Sequence, residues 1–436
     1  MFCYIAFPAV LALSFAQVPN PDLIQSLPGE PEVKNVDISQ YSGYLEIGDG
    51  KHIHYWFLKG VSPKPMPLVL FLSGGPGCSS FTSLFTETGP YRVSSSGTHL
   101  YNDPANSTWA KLGNVLYLES PVGVGYSFTD PWEPQPHYYS DETIVNDTIK
   151  AMGAFYEKFL DLTSVPLFIF AEGYASTAGA LLAQRLISNT SFPKLGGLII
   201  EGGFINDKYN ENFFVDYAFY HGLISLTRWN SLHRDCCNGT TCSFYKPTNG
   251  SGCAEDIDDV RNTTNLLNNY NIFSSCALPS SFSEDFGLTQ WPCFSQEPET
   301  LYLNRDDVRE TLHISSMAPK WTPCSENVST HYHPSTSSLL PILKDLAATI
   351  HVALLTGDGD MKFHFLGTRK AVESLRLRMS VAWRPWQYED DIGGFVTEYI
   401  DKLSVLTVKG AGHFIARTQP KQLYQLVLVF VYGRPF

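Results

Sequence analysis

The stretch PLFIFAEGYASTAG, residues 166–179, decides how this chain folds. It opens on an unbroken apolar run, turns sharply about Gly173, and passes into a helical pattern over 174–187. Unbroken apolar runs suit strands covered on both faces of a parallel sheet, whereas half-exposed strands alternate. Working outward, the same kind of run recurs at 67–72 (PLVLFL), 114–118 (NVLYL), 198–200, 350–355 (IHVALL) and 403–408 (LSVLTV). Helical patterns lie between them. Residues 141–162 place Ile144, Thr148, Met152, Phe155 and Phe159 on one stripe, and 419–429 reads as a helix too. Strands alternating with helices predict a doubly wound α/β sheet. Near the start, GYLEI (43–47) and HIHYWFL (52–58) flank Gly48-Asp49-Gly50, which predicts a hairpin.

The composition narrows the function classes. The chain has 436 residues, 44% hydrophobic and 17% charged, which excludes a chain disordered by composition. Its formal net charge of -13 argues against a nucleic-acid partner, which requires a basic face. Residues 1–16 (MFCYIAFPAVLALSFA) carry no charge and end in the small residues Ser14 and Ala16, which predicts a secretory signal peptide. Removing it takes Cys3 away and leaves eight of nine cysteines, an even set. No other stretch has the ~18 consecutive apolar residues of a membrane span. Sequons at Asn106, Asn146, Asn189, Asn238, Asn249, Asn262 and Asn327 agree with the secretory route, lysosomal or extracellular.

Three glycine-rich segments follow apolar strands. FLSGGPGCSS (71–80) can aim backbone N–H groups into a cleft, as an oxyanion hole requires. TGDGD (356–360) offers Asp360, and GAGHF (410–414) offers His413 on a flexible loop. With the turn at 173 the order becomes nucleophile position, acid, histidine, which is the chain order of an α/β-hydrolase fold. Between about 203 and 338 the pattern breaks up, and seven of the eight remaining cysteines sit there, six of them between 236 and 293. We therefore expect a signal peptide (1–16), a first part of the core (17–202), a disulfide-stapled cap insertion (203–340) and a second part of the core (341–436). Spacing alone leaves 105 disulfide connectivities open. The pairs His52/His54 and His331/His333 lack partners at zinc-site spacing, so no metal and no cofactor is expected.

Several longer motifs carry a family resemblance. SLPG (26–29), QYSGYL (40–45), GGPGCSS (74–80), NVLYLESPVGVGYS (114–127), YHGLIS (220–225), GDGD (357–360), RPW (384–386) and KGAGH (409–413) resemble the serine carboxypeptidases, above all their cathepsin A-like branch. The resemblance spans nearly the whole mature chain. It implies disulfides Cys78–Cys324, Cys236–Cys253, Cys237–Cys242 and Cys276–Cys293. It implies Asp360 and His413 as acid and base, and the N–H groups of Gly75 and Tyr174 as the oxyanion hole. It implies Ser73, Gly74, Glu87 and Glu172 as the receptor for a peptide's terminal carboxylate, with Ser73 standing in for an asparagine. It also raises a homodimer and a partner-stabilising role beside a lysosomal protein.

One departure governs the expected chemistry. The family's elbow reads Gly-Glu-Ser-Tyr-Ala-Gly, and here 171–176 reads Ala-Glu-Gly-Tyr-Ala-Ser. Gly173 stands at the nucleophile position and has no side chain to attack with. Losing a triad member typically costs of order 10⁶ in kcat. The expectation is therefore a catalytically inactive homologue that recognises the C-termini of peptides or proteins. Two other readings stay open at this point. One is an active acid-pH carboxypeptidase, through Ser176 or through a serine misread as glycine at 173. The other is a secreted interaction glycoprotein with no pocket function. Ser79 and Ser80 read as helix caps. The replacements at 171 and 176 suggest relaxed packing around the elbow.

Overall fold

The computed structural model describes residues 20–275 and 295–436. The expected leader and the pair Cys276–Cys293 lie outside the described residues.

One twisted sheet organises the molecule. In chain order its strands are β1 (Leu23–Ile24), β2 (Ile38–Glu46), β3 (Lys51–Gly60), β4 (Leu68–Leu72), β5 (Asn114–Leu118), β6 (Leu167–Glu172), β7 (Leu195–Glu201), β8 (His351–Gly357), β9 (Met379–Tyr388), β10 (Asp391–Tyr399) and β11 (Leu403–Val408). They lie side by side as β1-β2-β3-β5-β4-β6-β7-β8-β11-β10-β9, and Phe128–Thr129 adds to β3. From β5 to β11 every neighbouring pair is parallel. Both flanks are antiparallel, so the sheet is mixed and only its centre matches the parallel expectation.

Alternate residues of each central strand face opposite sides. Leu70, Ile169, Leu198 and Leu354 enter one core together with Met152 and Phe155 of α1 (Asp141–Lys158) and Leu182 of α2 (Ala175–Leu186). Phe71, Phe170, Ile199 and Leu355 enter the other, against a C-terminal helix, Pro420–Val431. The predicted stripe of the 141–162 segment faces the sheet, and the helix ends at Lys158, before a short 3₁₀ turn at Leu160–Ser164. Its start is fixed by a capping box in which the Ser140 hydroxyl accepts from the Thr143 N–H.

Between β7 and β8 the chain leaves the sheet. Helices Asp207–Tyr220, Leu226–Cys236 and Gly252–Thr264 enclose a small core of Val215, Leu232, Phe244, Ile257 and Val260. Disulfides Cys236–Cys253 and Cys237–Cys242 staple it, and Cys78–Cys324 ties a later strap to the loop after β4. This is an α/β-hydrolase fold carrying a disulfide-bonded insertion. Six of the seven sequon asparagines are exposed, and Asn189 is half-buried. No described helix is long and apolar enough to cross a membrane.

Candidate active site

The turn between β6 and α2 is built around Gly173, whose φ of 61° lies in the left-handed region that glycine enters without steric cost. Its N–H donates to the Glu201 carbonyl at 2.9 Å, pinning the elbow to the end of β7. The larger residues at 171 and 176 do not loosen this corner. A Cβ on Gly179 would lie 2.6 Å from the Ala171 Cβ, and one on Gly203 would lie 2.8 Å from the Ser176 Cβ. Glycines opposite them take up the added volume, so the packing is close and not relaxed. The Ser176 hydroxyl donates to the Phe204 carbonyl at 3.1 Å. It is thus committed to a backbone acceptor behind the elbow.

His413 sits over Gly173. A Cβ on that glycine would lie 3.0 Å from His413 Nε2, with only His413 Cε1 and the Gly74 carbonyl oxygen also within 4 Å. The other ring nitrogen, Nδ1, is 3.0 Å from Asp360 Oδ2. Asp360 is fully buried, and its Oδ1 accepts from the Lys362 and Phe363 N–H groups at 2.8 and 3.0 Å. An acceptor at Nδ1–H leaves the lone pair on Nε2, which makes that nitrogen a base. The insertion reaches this histidine as well. The His413 N–H donates to the Tyr270 carbonyl at 2.7 Å, and the Tyr270 ring meets the imidazole edge-on at 5.1 Å. Gly202, with φ 49°, lets the chain pass close behind the ring; a Cβ there would lie 2.9 Å from Nδ1. Nothing in the 198–200 or 265–275 sequence patterns marked Gly202 or Tyr270.

The loop after β4 faces the elbow. The first N–H of α2, from Ala175, donates to the Gly74 carbonyl at 3.1 Å. The N–H of Gly75 belongs to that same peptide unit and points the opposite way, as a trans peptide requires. Neither it nor the Tyr174 N–H donates to another described residue, and a Cβ on Gly75 would meet nothing within 4 Å. Two neighbouring free donors are the arrangement that stabilises a carbonyl oxygen as it gains charge. Tyr174 is held from outside: its hydroxyl donates to that of Tyr332 at 2.6 Å, and Tyr332 donates in turn to Asp141.

Beneath the elbow lie three carboxyl groups. Glu172 and Glu87, 0% and 1% exposed, lie close together, and one oxygen of each has no hydrogen-bond partner among the described residues. Burial, and then the charges of Glu87 and Glu201, push the Glu172 carboxyl well above the usual range. Glu201 is likewise raised, first by burial and then by the Glu87 charge, although the Ile415 N–H donates to it. Both shifts favour the protonated form, and a protonated Glu172 can donate to a carboxylate beside it. Ser73 and Ser83 hydroxyls donate to Glu172 Oε1 at 2.7 and 3.3 Å, so Ser73 turns towards the glutamate. Arg417 completes the cluster: its Nε is 3.2 Å from Glu87 Oε1, and Nη2 donates to the Thr86 hydroxyl at 3.0 Å. Glu201 and Arg417 were absent from the sequence-based site. The only signal for Glu201 was a carboxylate continuing a buried apolar strand.

Among the described residues the one metal-type cluster is His233, Cys237 and Cys242, and its two sulfurs are joined in a disulfide. That leaves one imidazole, which is no ligand set. His54 is buried between Glu119 and Ser42, at 3.2 and 3.0 Å, as part of the core.

Comparison with known proteins finds relatives along almost the whole chain. The chain matches the serine carboxypeptidase family over residues 28–433. It is 33% identical to the lysosomal protective protein of Mus musculus, covering 98% of both chains. It is 32% identical to the serine carboxypeptidase ctsa-4.1 of Caenorhabditis elegans, covering 99% of this chain and 98% of that one. Among solved structures, the prohormone-processing carboxypeptidase Kex1 of Saccharomyces cerevisiae superposes with a TM-score of 0.74 at 18% identity, over 93% and 94% of the two chains. A family match across almost the whole length, and whole-chain relatives above 30% identity, place this chain in the serine carboxypeptidase family.

Proposed function

We propose that this protein is a serine carboxypeptidase homologue that binds the C-terminal end of a peptide or protein without cleaving it through an acyl-enzyme. The observation that carries this reading is Gly173. The one position that must supply the attacking oxygen has no side chain, while His413–Asp360, the two free N–H donors and the Glu87–Glu172 pair stand around it. Such a site retains binding groups and lacks the nucleophile. The proton on Glu172 supports recognition of a carboxylate, because a neutral carboxyl donates a hydrogen bond that an ionised one cannot. Binding should therefore weaken as pH rises and that proton is lost. The signal peptide and sequons read from the sequence support a secretory route, lysosomal or extracellular, and the relatives support peptide-like ligands.

The test compares a fluorescent peptide with a free C-terminus against its C-terminal amide. The expected result is tighter binding of the acid, a preference that shrinks between pH 5 and pH 7.5 and that becomes independent of pH in Glu172→Gln, whose amide stays neutral and donating throughout. Equal affinity for acid and amide at both pH values would overturn the reading.

A further inference from the structure

Everything needed to activate a small nucleophile is present around Gly173 except the serine side chain. His413 Nε2 has no hydrogen-bond partner among the described residues and points at the space where a side chain on residue 173 would begin. A Cβ there would meet only His413 and, at 4.0 Å, the Gly74 carbonyl oxygen. That space is bounded by one base and one acceptor, on the side of the elbow that carries the Tyr174 N–H.

We propose that a water held in this space, with His413 as its base, gives the protein a slow hydrolase activity towards activated carboxylic esters. The water oxygen attacks the ester carbonyl carbon and forms a new C–O bond. Its proton passes to His413 Nε2, and the imidazolium is held by Asp360 through Nδ1–H. The carbonyl electron pair moves onto oxygen, which the Gly75 and Tyr174 N–H groups receive. Collapse of the tetrahedral intermediate breaks the bond to the leaving phenolate or thiolate, which departs without protonation, and the imidazolium returns its proton to solvent. The products are one acid and one phenol or thiol. No bond to the protein forms at any stage.

The ligand class follows from the same geometry. Water is a weaker nucleophile than a serine hydroxyl aligned by an elbow, and only a good leaving group departs without a proton delivered to it. Phenyl and thiol esters satisfy this, and peptide amides do not. The activity uses His413 with Asp360, the space at the elbow and the oxyanion donors. It is independent of the carboxylate receptor, so the peptide-binding reading can fail while this one stands.

The experiment measures hydrolysis of p-nitrophenyl acetate by the purified full chain. We expect a rate of order 10³-fold above the uncatalysed reaction, in line with triads lacking one member. The release should be linear from the first turnover, with no burst and no fluorophosphonate adduct. His413→Ala should lose about 10²-fold, the usual contribution of a positioned base. Gly173→Ala, whose methyl carbon would lie 3.0 Å from Nε2, should lose the activity by filling the water's place. Thermal melts of both variants identify any loss that comes from unfolding, and Asp360→Asn, which mis-sets the imidazole tautomer, replaces a variant that fails to fold. A stoichiometric burst or adduct in the native chain overturns the proposal. So does an undiminished rate in folded His413→Ala or Asp360→Asn.

Discussion

Gly173→Ser restores the missing hydroxyl, and the structure fixes what that must cost and what it should gain. Residue 173 has φ 61°, a conformation that L-residues occupy at a cost of about 1–2 kcal/mol. The added Cβ would stand 3.0 Å from His413 Nε2, so the ring must retreat by a few tenths of an ångström. Retreat is resisted by the Asp360 bond at 3.0 Å and by Tyr270, whose carbonyl holds the His413 backbone. Strain and crowding together predict a loss of about 1–3 kcal/mol, within the range for strained active-site residues. In return the hydroxyl comes within hydrogen-bond reach of Nε2 and beside two free N–H donors. The assay pairs urea denaturation with fluorophosphonate labelling of native chain and variant. The expected outcome is a variant less stable by that amount that takes up one equivalent of label, while the native chain takes up none. If the variant folds, shows the stability loss and still resists labelling, the base and oxyanion donors are not disposed as described. An unchanged stability would refute the strain argument separately.

Other perturbations address the buried charges and the staple. Glu172 has a raised carboxyl in the folded state, so the folded chain holds a proton that the unfolded chain releases above about pH 4.3. Its contribution is complete below that pH and is lost as pH rises towards the folded value, with a slope up to ~1.4 kcal/mol per pH unit. Glu172→Gln should flatten that slope in urea melts run from pH 4 to 7.5, and an identical slope in both proteins would contradict the assignment. Arg417→Met should remove the ion pair to Glu87; with Arg417 still 13% exposed, we expect about 2 kcal/mol lost at pH 7, read from the same melts. Replacing both Cys78 and Cys324 by serine opens a link spanning 246 residues and should cost about 2–5 kcal/mol, measurable as a lower thermal midpoint, with no change expected in the stapling of Cys236–Cys253.

The parallel centre of the sheet was legible because its strands are buried on both faces and read as apolar runs such as 67–72 and 403–408. The hairpin of β9 and β10 was not. β9 is an edge strand whose residues are mostly exposed, with Trp386 alone buried, and it contains Pro385, so it presents no apolar run and a residue that discourages strand assignment. The elbow, Asp360 and His413 were legible because each sits in a short motif immediately after a strand. The acid cluster was only half legible. Glu87 and Glu172 came from motif matching, but Glu201 and Arg417 meet them from the end of β7 and from a turn beyond His413. Only the folded sheet brings those four segments together. Ser73 illustrates the same limit: the sequence gives its hydroxyl to a substrate, and the structure turns it onto Glu172.

The survival of His413 and Asp360 beside a glycine does not by itself argue for chemistry. Both are buried, each satisfies the other, and buried polar groups persist in folds because leaving one unpaired is costly. Gly202 and Gly412 admit the loop so closely that almost any change would disturb packing; a Cβ on Gly412 would lie 2.5 Å from the Tyr270 carbonyl oxygen. The groups that discriminate are those the fold does not need. The Gly75 and Tyr174 N–H donors and the Nε2 lone pair have no partner among the described residues, and Nε2 faces the empty side-chain position of Gly173. Packing accounts for a histidine held by an aspartate. It does not account for three unpaired groups around one elbow. For that reason the ester-hydrolysis rate of His413→Ala, and not its stability, decides whether this site retains a function.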